Sequence, residues 1–190
     1  SPWYYATPGG RISASGYIDL APRSASRSVI LSSQAEAYGV ADPAYRDGNR
    51  AALIVHQDEW ALLNAPTVKI SAGAGGGNLV VADGGAVTVP GSITRLELSA
   101  PGGAITQTTT NPVTTLTETT SLIYGNDLVL AAGGAITLDA ANNAITGGTN
   151  GVSVTSAGGE FTLNTTGALK LGNIAAGSQY VTLSAVGNVT

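Results

Sequence analysis

The stretch Asp127 to Leu138, DLVLAAGGAITL, constrains the fold more than any other, because imperfect copies of it recur through the last two-thirds of the chain. Leu128 and Leu130 are separated by one residue, the spacing that puts both on one side of a strand. Gly133 and Gly134 then turn the chain, and Ile136 and Leu138 restart the alternation. Related pieces are LVVADGGAVTV (Leu79 to Val89), LELSAPGGAIT (Leu96 to Thr106), VSVTSAGGEFTL (Val152 to Leu163) and VTLSAVGNVT (Val181 to Thr190). A unit of one or two strands and a turn cannot bury its apolar side alone, so the copies must stack.

A sandwich or meander is also built from short strands and turns, and the order of parts argues against both. Like residues recur after each turn: Leu-x-Leu, Ala, Gly-Gly, then Ala-Ile-Thr. Winding places like on like in a parallel ladder. Ile105, Ile136 and Phe161 are expected to form one inward column, and Leu98, Leu130, Val154 and Leu171 another. Glycine at the corners supplies positive φ without a Cβ clash. Threonine favours the outer side of strands, and Asn142, Asn143, Asn164, Asn173 and Asn188 suit corners, where asparagine tolerates left-handed backbone and can bond along the stack. The first apolar residues of like units, Leu79, Leu96, Leu128, Val152 and Leu169, lie 17, 32, 24 and 17 residues apart, and the Thr-rich run Ile105 to Leu122 fills the long interval. Six coils are expected from Pro66 to Thr190, a rod of about 30 Å; the whole chain would reach about nine coils and 40 Å.

The fold class expected is therefore all-β, a parallel β-helix or β-solenoid with a non-repeat loop excursion near its N-terminus. Residues 1–33 read as first coils, with Ile12, Ala14, Gly16, Ile18 and Leu20 on one face of a strand and a second strand over Ser28 to Leu31. Residues 34–65 form the excursion. Seven of the ten aromatic residues and 11 of the 20 charged ones lie before Pro66, while glycine becomes scarce over the excursion itself. Within it, Ala51 to His56 reads as a strand and Asp58 to Asn64 as one helical turn. Residues 66–190 carry the sustained repeats. The strands VKIS, NLVV, AVTV, SITRLELS, AIT, LIY, DLVL, AITL, GVSVTS, EFTL, ALKL and YVTL are separated by Gly, Asn or Pro, and the chain stops mid-repeat, as in a fragment of a longer protein.

Composition sets limits on partners. A net charge of −4 with eight Lys and Arg supplies no basic stripe, which disfavours nucleic acid, and no apolar run is long enough for a spanning helix, so membrane insertion is not expected. The chain has no Cys, so disulfide scaffolds and zinc fingers are excluded and stability must come from stacking and hydrogen bonding.

Chemistry-bearing motifs are sparse. His56 is the only histidine, and no G-x-S-x-G accompanies it, so no nucleophilic triad is supported and no catalytic residue is expected. From Pro66 onward the acids Asp83, Glu97, Glu118, Asp127, Asp139 and Glu160 occur one per unit at different positions, unlike the clustered carboxylates of sugar-cleaving enzymes. Gly75-Gly76-Gly77-Asn78 and Asp83-Gly84-Gly85 lack the rest of the calcium repeat, so neither metal nor cofactor is expected. Asn164-Thr165-Thr166 and Asn188-Val189-Thr190 match the glycosylation pattern. The best ligand-binding candidates are Tyr38, Asp42, Tyr45, Asp47, Arg50 and Trp60, because aromatic faces beside charged groups suit sugar rings. The competing reading is that these side chains pack the excursion against the rod.

With its repeats aligned, the sequence resembles the filamentous haemagglutinin type of large bacterial exoprotein, including two-partner-secretion adhesins and contact-dependent inhibition stalks. The residues that carry the resemblance are LELSAPGGAIT, DLVLAAGGAITLDA, VSVTSAGGEFTL, ALKLGNIAAGS and YVTLSAVGNVT. It implies a right-handed parallel β-helix, export through an outer-membrane transporter, and a secreted or cell-surface role in adhesion or biofilm. The partners implied are a host or bacterial surface glycan or protein, with neighbouring repeats of the same chain. Residues 34 to 64 depart from the family's repeat. The alternative reading is a β-helical polysaccharide-active enzyme or phage tail-spike segment.

Overall fold

The computed structural model describes residues 11–34, 52–82, 85–107, 120–177 and 179–190. The fold is all-β with parallel sheets, and one 3-10 turn, Glu59–Leu62, is the only helical piece among the described residues. In chain order the strands are β1 (Ile12–Ser13), β2 (Tyr17–Leu20), β3 (Ser28–Ser32), β4 (Ala52–Val55), β5 (Leu63–Asn64), β6 (Thr67–Ser71), β7 (Leu79–Ala82), β8 (Ala86–Thr88) and β9 (Arg95–Ala100). They continue as β10 (Ile105–Gln107), β11 (Ser121–Tyr124), β12 (Asp127–Ala132), β13 (Ile136–Leu138), β14 (Ala144–Ile145), β15 (Val152–Ala157), β16 (Phe161–Thr165), β17 (Leu171–Ile174) and β18 (Val181–Ala185). Among the described residues no helix is long and apolar enough to cross a membrane.

Four sheets result. The first runs β2-β6-β9-β12-β15-β17, the second β4-β3-β7-β10-β13-β16-β18, the third β8-β11-β14, and β1 pairs with β5 alone. From β6 onward the chain visits the first sheet and then the second on every pass, and three of those passes continue into the third. The alternation in β6 and β9 accounts for their burial: Val68 and Ile70, then Leu96 and Leu98, face the core while the residues between face outward. β12 carries apolar residues almost throughout, and all but Ala131 are buried.

The register gives the columns directly. Ile105, Ile136 and Phe161 stand in one line, as expected. Leu98, Leu130 and Val154 form another, but the next residue in it is Ile174, and Leu171 lies opposite Val152 instead. Leu79 is also displaced from its expected place. It stacks on Ile105 in the second sheet, whereas Leu96 stacks on Val68 in the first. The first-sheet column therefore runs Val68, Leu96, Leu128, Val152, Leu171 in steps of 28, 32, 24 and 19 residues. That makes five passes after Pro66 among the described residues, where six were expected. The seven-stranded second sheet spans about 29 Å.

The N-terminal region differs in two further ways. The single strand expected from Ile12 to Leu20 breaks at 14–16, so β1 and β2 enter different sheets and Ile12 is exposed rather than inward. Residues 52–64, expected within the excursion, supply β4 to the edge of the second sheet and β5 as the partner of β1. The remainder of that excursion, 35–51, and residues 108–119 of the Thr-rich run lie outside the described residues.

The corner glycines serve two purposes: Gly76, Gly147, Gly148, Gly151 and Gly177 take the positive φ expected, and others allow close approach. Gly102, Gly133 and Gly158 are absent from the positive-φ set. Each is small because the preceding pass lies against it: a Cβ on Gly133 would sit 2.3 Å from Pro101 O, and one on Gly158 only 1.9 Å from Gly133 O. Close approach lets Gly133 N–H donate to Ala100 O (2.9 Å) and Gly134 N–H to Gly103 O (2.8 Å), so the ladder continues around the corner.

Candidate functional site

Of the six ligand-binding candidates, Tyr38, Asp42, Tyr45, Asp47 and Arg50 lie outside the described residues. Trp60 sits in the 3-10 turn and is 1% exposed, its ring packed in the core. Its Nε1 has no hydrogen-bond partner among the described residues. The turn is built locally: Glu59 N–H donates to His56 O (3.1 Å), and the His56 backbone N–H donates to Glu59 Oε2 (2.8 Å). Glu59 is therefore a clasp for the turn that buries Trp60.

The structure assembles a different polar surface, on the outward side of the first sheet. The register places Asp19, Lys69 and Glu97 in one row and Tyr17, Thr67, Arg95 and Asp127 in the next. Glu97 accepts from Arg95 Nε at 2.7 Å and lies 3.5 Å from Lys69 Nζ. The Lys69 ammonium stands 4.8 Å from the centre of the Tyr17 ring, which is 58% exposed. Partial burial would raise the Glu97 carboxyl, but the Arg95 hydrogen bond and the two cations outweigh it and hold its pKa below the usual range. The patch thus combines an open aromatic face with charges of both signs, fixed in place by strand pairing. Alignment of YIDL, TVKI and RLEL by their apolar residues would have brought Asp19, Lys69 and Glu97 into line.

At the end of this row Asp127 is covered by the turn that leads into β15. Its Oδ1 accepts from Asn150 N–H at 2.7 Å and its Oδ2 from Asn150 Nδ2. Burial pushes its carboxyl up, and the Asn150 backbone and side-chain donors, with Thr149 N–H and Arg95, bring it below the ordinary value. Asp127 thereby anchors the turn 146–151, in which Gly147, Gly148 and Gly151 have φ of +87°, +52° and +89°. Lys170 Nζ donates to Thr149 O in the same turn.

A partly buried polar network joins residues on either side of 108–119. Gln107 faces Val81 in the register, an inward place otherwise filled by apolar residues. Its Nε2 donates to Asn143 Oδ1 (2.7 Å), and Asn143 Nδ2 donates to Gln107 Oε1 (2.8 Å) and Leu138 O (3.0 Å). Asn143 Oδ1 also accepts from Leu122 N–H at 2.8 Å. Gln107 and Leu122 are thus tied together across the segment between them. Among the described residues no three His, Asp or Glu converge as a metal-binding set.

Comparison with protein-family models, curated proteins and solved structures gave no match.

Proposed function

We propose that this chain is a right-handed parallel β-helix segment of a large secreted or surface-exposed bacterial adhesin of the filamentous haemagglutinin type. Its role is rod or spacer, and it is structural rather than catalytic. The observation that supports this most strongly is the parallel register itself, in which first-sheet and second-sheet strands recur in fixed order on every pass from β6 to β18. A chain that repeats one circuit gains length along one axis with each pass. The engagement of its polar groups supports the same reading: Asp127, Asn143 and Gln107 direct hydrogen bonds to neighbouring strands and turns of the chain.

The surface for contact with a glycan or protein is the Tyr17, Lys69, Arg95 and Glu97 patch, since an exposed ring with flanking charges offers both stacking and hydrogen bonding to a sugar. Export would run through an outer-membrane transporter. Two measurements on the purified chain test the proposal. Circular dichroism is expected to show a spectrum dominated by β-structure, and one dominated by helix would sink the solenoid. A glycan array is expected to show binding that Tyr17→Ala weakens by about tenfold or more, the loss of about 1.4 kcal/mol. Binding unchanged by Tyr17→Ala removes the patch and leaves the spacer role alone.

A further inference from the structure

We propose that Asn150-Gly151 is a site of spontaneous deamidation, and that Asp127 sets its rate. Asn150 is the chain's only asparagine followed by glycine. Without a Cβ on the following residue, the backbone nitrogen has an open approach to the asparagine side chain. The side chain of Asn150 is exposed, so water and hydroxide reach it. The reaction needs nothing else. Gly151 N loses its proton and attacks Asn150 Cγ, the Cγ–Nδ2 bond breaks, and the nitrogen departs as ammonia to leave a five-membered succinimide. Water then adds to either ring carbonyl and opens it to aspartate or isoaspartate, with no change of oxidation state.

In the folded turn the groups of that reaction are engaged in hydrogen bonds. Gly151 N–H is engaged with Gly147 O at 2.6 Å, so the attacking nitrogen points into the turn. Asn150 N–H and Nδ2 both donate to the Asp127 carboxylate, which fixes the backbone and the carboxamide together. Rotating Cγ toward Gly151 N requires both clasps to open. Asp127 is in turn buried at the start of β12, opposite Arg95. It is a positioning residue acting on Asn150, and the turn is protected only while that carboxylate is in place.

Conversion would be self-reinforcing. An aspartate at position 150 has no side-chain N–H for Asp127 and carries like charge against it, and an isoaspartate lengthens the backbone of a turn whose glycines are already in left-handed conformations. The turn connects β14 to β15, so its loosening frees the lead into the first sheet.

The test incubates the intact chain at mildly alkaline pH beside a peptide spanning 146–152, and follows amide-to-acid conversion at position 150 by peptide mapping and mass spectrometry. The folded chain is expected to convert at least about tenfold more slowly than the peptide, a barrier difference of about 1.4 kcal/mol. Asp127→Ala is expected to move the rate toward that of the peptide. Asp139→Ala, which removes an exposed carboxylate elsewhere, leaves it unchanged. Circular dichroism of each variant establishes that it is folded, and Asp127→Asn, which keeps the shape but loses the charge, replaces Asp127→Ala if the latter does not fold. A wild-type rate equal to that of the peptide overturns the proposal, as does a folded Asp127 variant no faster than wild type.

Discussion

A methyl group added at Gly133 would stand 2.3 Å from the carbonyl oxygen of Pro101, whereas at Gly167 it would meet nothing within 4 Å. Both glycines lie in turns, so sequence alone treats them alike. The difference arises from the neighbouring pass, whose backbone is itself fixed by hydrogen bonds and has no flexible side chain to move aside. Gly133→Ala is therefore expected to destabilise the chain by about 1–3 kcal/mol through overpacking. Gly167→Ala is expected to leave stability unchanged or raise it by about 0.5 kcal/mol, because it restricts the unfolded chain. Urea denaturation followed by the fluorescence of the buried Trp60 separates the two, and equal midpoints would show that the corner relaxes. The Gly-Gly pairs were legible as turns. Their close approach was not, since it depends on which pass lies beneath. Trp60 is a related case: its type suits either packing against the rod or a ring offered to a sugar, and the 3-10 turn puts it in the core.

At the level of strands, side chains complete edges that backbone pairing leaves open. Gln57 lies against β8, donating from Nε2 to Thr88 O (3.0 Å) and accepting from Thr88 N–H (2.8 Å), as a strand residue would. On the far edge of the same sheet the Thr165 hydroxyl accepts from Ile145 N–H (3.0 Å) and lies 3.0 Å from Ile145 O. Asn143, fully buried, serves Leu122, Leu138 and Gln107 together. Asn143→Ala would leave the Leu122 N–H without this partner and remove two hydrogen bonds of the part-buried Gln107 amide, at an expected cost of about 1–3 kcal/mol. The adjacent Asn142 is exposed, and Asn142→Ala should stay within about 0.5 kcal/mol. Thermal unfolding of the two variants checks this, and similar melting temperatures would mean that water replaces Asn143. Strand positions were legible because strict alternation marks VKIS, RLELSA and FTL. β14 was not, being two residues long in the polar stretch ANNAIT. Leu79 was assigned to the wrong sheet because LVVADGGAVTV and LELSAPGGAIT share the same strand-turn-strand pattern, and pattern identifies a kind of strand rather than its face.

Across the whole molecule, each strand is supported by the strands on either side of it, so support falls toward the ends of the ladders. β12 is held by β9 and β15, and five of its six residues are buried. Among the described residues β18 has only β16 beside it, and Val181, Val186 and Val189 are 44%, 83% and 48% exposed. The sequence from Leu171 to Thr190 contains no charged residue and no proline, two of the usual means of blunting a strand edge. In this 190-residue chain taken by itself, local opening should therefore begin at β18 and β17 and move inward. Native-state hydrogen exchange tests the order. Amides of β12 that pair with β9 are expected to exchange only with global unfolding, and those of β18 that pair with β16 at a free energy lower by about 2 kcal/mol or more, within the range between fraying edges and core strands. Adding denaturant should raise exchange in β12 steeply and in β18 weakly, because opening one strand exposes little surface. Equal protection in both would mean that all the ladders open as one cooperative unit, and the graded support visible in the burial pattern would then have no energetic counterpart.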